Sequence, residues 1–78
     1  MKTKSMELNV VLERDTIADV WVAEVPGILG CASEGKTRDA ALENLRETFR
    51  RMVEMHGWPT QPRVEFARIR FDEGTRNA

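Results

Sequence analysis

The chain contains one cysteine, one histidine and no tyrosine in 78 residues. A lone cysteine excludes an intrachain disulfide. One cysteine with one histidine also falls short of the three or four protein ligands that a structural zinc site uses. Long apolar runs are missing: the longest, Val20 to Ala23, is far below the roughly 20 residues of a membrane-spanning helix. An excess of charge is missing too, because 12 basic residues face 13 acidic ones for a net charge of −1. Nucleic-acid-binding domains usually carry surplus Lys and Arg to displace phosphate counterions, so strong non-specific binding is not expected. The opening Met1-Lys2-Thr3-Lys4 runs into alternating residues, not into the apolar stretch of a signal peptide. These absences lead to the expectation of a cytoplasmic protein with no membrane segment, metal or cofactor.

The length suits one domain spanning residues 1–78, with an ordered core over about 6–71 and flexible ends. A chain this short buries only roughly 60% of the surface exposed by its unfolded form, so a single core leaves a thin margin. Small domains are often reinforced by disulfides, a metal or association. The first two are ruled out by composition, and a homo-oligomer is the expectation.

From Met6 the pattern alternates. Met6, Leu8, Val10 and Leu12 share one side, with Glu7, Asn9, Val11 and Glu13 on the other, which predicts a half-buried strand. A short polar connection, Arg14 to Asp19, leads to a second strand over Val20–Val25 and so to an antiparallel pair. Pro26 and Gly27 end it. A brief third strand is expected over Cys31–Glu34, closed by Gly35. Thr37 then stands as the N-cap of an amphipathic helix, with Asp39 in its first turn. Steps of 100° place Ala41, Leu42, Leu45, Phe49, Met52, Val53 and His56 on one face. Glu47 and Arg51 suggest an i,i+4 pair, and Gly57 with Pro59 ends the helix. Arg63 to Phe71 has the composition of a fourth strand, but its apolar phase changes between Phe66 and Ala67, which predicts a bulge or two covered faces. The resulting fold class is α+β: an antiparallel β-β-β-α-β sheet with one helix packed across a face.

The series Pro26, Gly30, Ser33, Gly35, Thr37, Ala41, Leu42 and Asn44, within Trp21–Thr37 and Ala40–Leu45, resembles the signature of the HicB-like antitoxin family. It covers about a third of the chain. The resemblance implies a partial RNase H-like fold and a dimer or higher oligomer. It also implies a module that binds and inhibits a small ribonuclease toxin of the HicA type. Many members of that family carry a C-terminal DNA-binding segment. Only seven residues follow Phe71 here, so direct DNA binding is not expected.

Catalytic groupings are sparse. Asp15, Asp19 and Glu24 are the acids near the first hairpin, where acids ordinarily form turns, and a two-metal nuclease needs carboxylates that converge. His56 is better placed to pack at the end of the helix and meet its terminal carbonyls than to act as a base. Cys31 is expected to be buried as a small apolar side chain. Four residues are candidates for contact with a partner or a second subunit. Trp21 shares a face with Ala23 and Val25. Trp58 sits between Gly57 and Pro59, and Trp is enriched at interface hot spots. Arg68 and Arg70 share one side of the last predicted strand, where they suit edge protection or a modest anionic contact. The function expected is non-catalytic: a HicB-like antitoxin bound to a HicA-like toxin. The alternative is an orphan oligomeric regulatory or scaffold protein that binds RNA weakly through Arg68 and Arg70. A small enzyme ranks third.

Overall fold

The computed structural model describes residues 4–74. Of the flexible ends expected on either side of residues 6–71, Met1–Thr3 and Thr75–Ala78 lie outside the described residues. Four elements follow in order: β1 (Val11–Asp15), β2 (Val20–Glu24), β3 (Ala32–Gly35) and α1 (Arg38–His56). The strands form one antiparallel sheet in the order β1-β2-β3, with α1 packed on it, so the α+β class holds. No helix among the described residues is long and apolar enough to cross a membrane.

The two hairpins show how local chemistry sets register. In the first, Asp15 pairs with Val20, and Asp15 Oδ1 accepts from the amides of Ile17 and Ala18 at 3.0 Å each. This is the turn-forming use of a short acidic side chain. Asp19 takes φ +58°, a left-handed value that Asp tolerates better than most residues, and pairs with Arg14. In the second hairpin the Ile28 amide donates to the Val25 carbonyl at 3.3 Å. Pro26 and Gly27 are the central residues of that turn, and Gly27 has φ +85°, as a type II turn requires. The Val25 amide donates to Cys31 at 2.9 Å, one step beyond the Glu24–Ala32 pair.

The first strand forms later than the alternation predicts, beginning at Val11 and not at Met6. The register explains the shift. Val11 lies opposite Glu24, which puts Asn9 opposite Pro26, a residue with no amide to donate. The alternation persists without a ladder: Met6, Leu8 and Val10 are half-buried while Glu7 and Asn9 are exposed.

Helix α1 starts as expected, with Thr37 Oγ1 accepting from the Ala40 amide at 3.0 Å, and ends where the Gly57 amide donates to Val53 at 2.8 Å. Gly35 is the point of closest approach to the sheet. A Cβ there would meet the Ala41 nitrogen at 2.6 Å and the Ala40 carbonyl carbon at 2.8 Å. The core is small: Ala23, Val25, Cys31, Ala41 and Leu45 are buried, with Leu8, Val10, Leu12, Trp21, Ile28, Leu42, Phe49 and Met52 packed round them.

Two details of the helix depart from expectation. His56 is exposed and not packed. A helix of 19 residues is about 28 Å long, whereas strands of five residues reach only about 17 Å. Its last turn therefore overhangs the sheet, and Met55 is exposed there as well. Glu47 pairs with Arg50, not Arg51, because Arg50 also reaches Glu54 at 2.9 Å and so sits between two carboxylates. The Arg50 hydrogen bond holds the Glu47 carboxyl below its ordinary range.

The largest correction concerns the fourth strand. Among the described residues the α+β arrangement has three strands, and residues 63–71 join no ladder with any of them. They form an arm. The molecule measures 63 × 29 × 18 Å with a radius of gyration of 16.7 Å, against about 11–12 Å for a compact chain of this length. Strand composition alone does not make a strand, because the ladder needs a neighbouring edge, and beyond Pro62 the chain has left its own sheet.

Candidate protein-binding surface

The joint between β3 and α1 contains most of the residues singled out by the motif. Ser33 Oγ lies 2.7 Å from Thr48 Oγ1 and 3.3 Å from the Asn44 carbonyl oxygen. Asn44 Nδ2 donates to the Glu34 carbonyl at 2.8 Å. Gly35 admits the first helical turn, Thr37 caps it, and Ala41 is buried beneath it. Ser33, Gly35, Thr37, Ala41 and Asn44 therefore lock helix to sheet. The Asn44 amide also occupies a backbone acceptor of β3 that another strand would need, so this side of the sheet is partly closed.

At the opposite end, Gln61 completes the β1–β2 ladder. The Asn9 amide donates to Gln61 Oε1 at 2.8 Å, and Gln61 Nε2 donates to the carbonyls of Asn9 and Pro26 at 3.0 Å each. The carboxamide supplies the donor and acceptor that a paired residue would have offered Asn9, at the position where Pro26 lacks an amide. The next residue, Pro62, packs so closely on Gly27 that a Cβ at Gly27 would lie 2.3 Å from the proline Cγ. These two contacts fix the root of the arm. Sequence reading passed over Gln61, since a polar residue between two prolines carries no periodic signal. The useful clue was the donor missing at Pro26.

The four candidate contact residues lie in three settings. Trp21 is half-buried in β2 on the core side, with the Arg14 guanidinium 5.9 Å from its ring centroid. Trp58 is 42% exposed. It meets Phe49 edge-on at 6.2 Å, with Lys4 Nζ 5.3 Å from its centroid, so it both packs at the core edge and shows a face to water. Arg68 and Arg70 are exposed on the arm, where Arg70 bonds Asp72 at 3.0 Å and Arg63 bonds Glu65 at 3.1 Å.

The arm's apolar side chains are the most conspicuous feature of the surface: Phe66 is 73% exposed, Ile69 86% and Phe71 88%. At the loop tips Ile17 and Leu29 are almost wholly exposed, two residues that the reading of the sequence passed over. A shallow apolar cleft of about 300 Å³ lies between Met6, Leu8 and Val10 on one side and Leu42, Leu45 and Phe49 of α1 on the other.

The titratable groups near the hairpin and at the helix end have local roles. Asp15 ties its turn, Asp19 pairs with Arg14, and His56 is exposed at the helix end. Cys31 is buried as expected, and burial pushes its thiol up from the ordinary value. No group of three or more His, Cys, Asp or Glu residues that could hold a metal ion occurs among the described residues. In comparisons with known proteins, no family model, no curated protein and no solved structure matches the chain.

Proposed function

We propose that the chain is a non-catalytic protein-binding module. The observation that carries this reading is the arm, with two phenylalanines and an isoleucine held in water. Monomeric soluble proteins rarely present contiguous apolar patches of this kind unless a partner covers them. The finer reading is a HicB-like antitoxin that binds and inhibits a small HicA-type ribonuclease in the cytoplasm. It is supported by the motif resemblance through Pro26, Ser33, Gly35, Thr37 and Asn44 and by the helix-on-sheet arrangement those residues hold together.

The test is inhibition by titration. A small basic ribonuclease encoded beside this chain should lose activity in proportion to the chain added, reaching zero near a one-to-one ratio, and co-expression should relieve its toxicity. Continued RNA cleavage in the presence of excess chain would reject the antitoxin reading. The orphan-scaffold alternative is favoured by one observation, the exposed Arg68 and Arg70 on the arm. It predicts weak RNA affinity that falls steeply with salt.

A further inference from the structure

We infer that the last turns of α1 carry a binding site for copper(I), with the thioethers of Met52 and Met55 and the imidazole of His56 as its ligands. The inference is independent of the partner-binding reading of the arm and concerns residues which that reading does not use.

Soft donors are concentrated at this place. The chain has four methionines and one histidine, and two of those methionines stand with the histidine in Met52-Val53-Glu54-Met55-His56. His, Cys, Asp and Glu do not gather into a metal-holding group among the described residues, but thioether sulfur is a further kind of donor. Positions 52, 55 and 56 are related as i, i+3 and i+4, spacings that make side chains neighbours on one helix face, about 5–6 Å apart at Cβ. Long side chains on a helix lean toward its N-terminus, so Met55 and His56 lean over the turn that holds Met52. All three line one shallow hollow of about 250 Å³, with Gly30, Thr48 and Arg51 as its other walls.

The packing leaves these donors room to close on an ion. Met52 is half-buried and packed against the core, which fixes one sulfur at the bottom of the hollow. Met55 is 75% exposed and His56 is exposed, because the helix overhangs the sheet there and gives them no floor. Gly30 faces them without a side chain, and a Cβ added to it would meet nothing within 4 Å. The Thr48 hydroxyl is already bonded to Ser33 and to the Asn44 carbonyl, so it does not add a hard oxygen ligand.

The donor set selects the ion. Thioether sulfur is soft and uncharged and suits copper(I), which imidazole also binds. Zinc takes thiolate, imidazole or carboxylate ligands, and calcium and magnesium take oxygen. Charge points the same way. The Arg51 guanidinium on the rim repels a divalent ion about twice as strongly as a monovalent one, while the negative end of the helix dipole attracts a cation. An anion would find Arg51, but it would sit against that negative end and among sulfur atoms with no hydrogen bond to donate.

The experiment offers the full chain copper(I) as its bicinchoninate complex, under nitrogen with ascorbate, and reads the fall in the visible absorbance of that complex. One equivalent should transfer. Methionine methyl NMR of the same sample should show the Met52 and Met55 signals move while those of Met1 and Met6 stay in place. Met52→Leu and His56→Gln should each weaken capture at least about tenfold, the loss seen when even an outer partner of a metal ligand is removed. Leucine keeps the volume of methionine and His56 is exposed, so circular dichroism should show the helix retained in both. Cys31→Ala removes the competing soft donor, the buried thiol, and should capture copper(I) as tightly as the wild type. A wild-type chain that draws no copper(I) from the complex would overturn the inference. So would capture that is lost in a folded Cys31→Ala chain, capture that is equal in the Met52 and His56 variants, or methyl signals of Met52 and Met55 that do not move on transfer. If Cys31→Ala does not fold, the wild-type methyl signals decide between thiol and thioethers.

Discussion

Gln61 provides the sharpest test of how this small sheet is completed. Gln61→Ala removes four hydrogen bonds: two accepted by Oε1, from the Asn9 amide and, at 3.5 Å, from Asn9 Nδ2, and two donated to the carbonyls of Asn9 and Pro26. Intramolecular hydrogen bonds contribute about 0.5–1.5 kcal/mol each, with exposed ones at the low end. The three bonds to Asn9 are exposed, one of them long, and the one to Pro26 is partly buried, so the expected loss is about 1.5–2.5 kcal/mol. For a domain of this size that lowers Tm by about 6–15 °C, read by circular dichroism at one fixed protein concentration because self-association stabilises by mass action. Gln61→Glu separates geometry from donor chemistry. Its carboxylate can still accept from Asn9, but it would face two carbonyl oxygens with nothing to donate, which raises its pKa in the folded state. The penalty is complete above the raised folded value and shrinks as pH falls from there, vanishing below the unfolded glutamate value of about 4.3. The glutamate variant should therefore be the less stable of the two at pH 7 and recover relative to wild type near pH 4. A Tm for Gln61→Ala within about 2 °C of wild type, or a glutamate variant whose deficit ignores pH, would refute the ladder-completing role.

Leu45→Ala, at a buried helix position in a core of five residues, should cost about 2–5 kcal/mol in urea unfolding. That is a large part of the roughly 4–12 kcal/mol expected of a chain this long, so a loss below 1 kcal/mol would mean that α1 does not pack as described. Gly35→Ala should lower stability by about 1–3 kcal/mol, because the new Cβ meets backbone atoms of Ala40 and Ala41; an unchanged urea midpoint would count against the close joint. The buried Cys31 thiol should react with an aromatic disulfide reagent at pH 8 at least about 100-fold more slowly than in the unfolded chain. Its folded-state pKa is raised by burial. Its contribution to stability is therefore complete below the unfolded thiol value, about 8.5, and is lost as pH rises beyond it toward the folded value. Equal labelling rates in the native and unfolded chains would show that the thiol is accessible.

Much of the helix was legible from the sequence. Thr37, the apolar steps from Ala41 to Met52 and the Gly57-Trp58-Pro59 stop act within one or two turns, and each performs its expected part. Both hairpins were legible for the same reason, through Asp15 in one and Pro26-Gly27 in the other. The misplacements have a common origin. Val11 in place of Met6 as the start of β1, His56 in water and the unpaired 63–71 all depend on where a neighbouring element ends. Pro26 stops the ladder, the short strands leave the last helical turn without a floor, and the chain beyond Pro62 has no edge within reach. The candidate contacts divided in the same way: Trp21 went to the core side its alternation predicted, whereas nothing local disclosed that Arg68 and Arg70 would ride on a projecting arm.

By itself the sequence determined which residues prefer water, where the chain turns and where one helix begins and stops, because those preferences come from each side chain and its immediate neighbours. Only the tertiary structure decided which edges of the sheet are closed and which are open. Asn44 reaches Glu34 across ten residues and Gln61 reaches Asn9 across fifty-two. Bonds that long-range arise only once hydrophobic burial has already brought distant segments together.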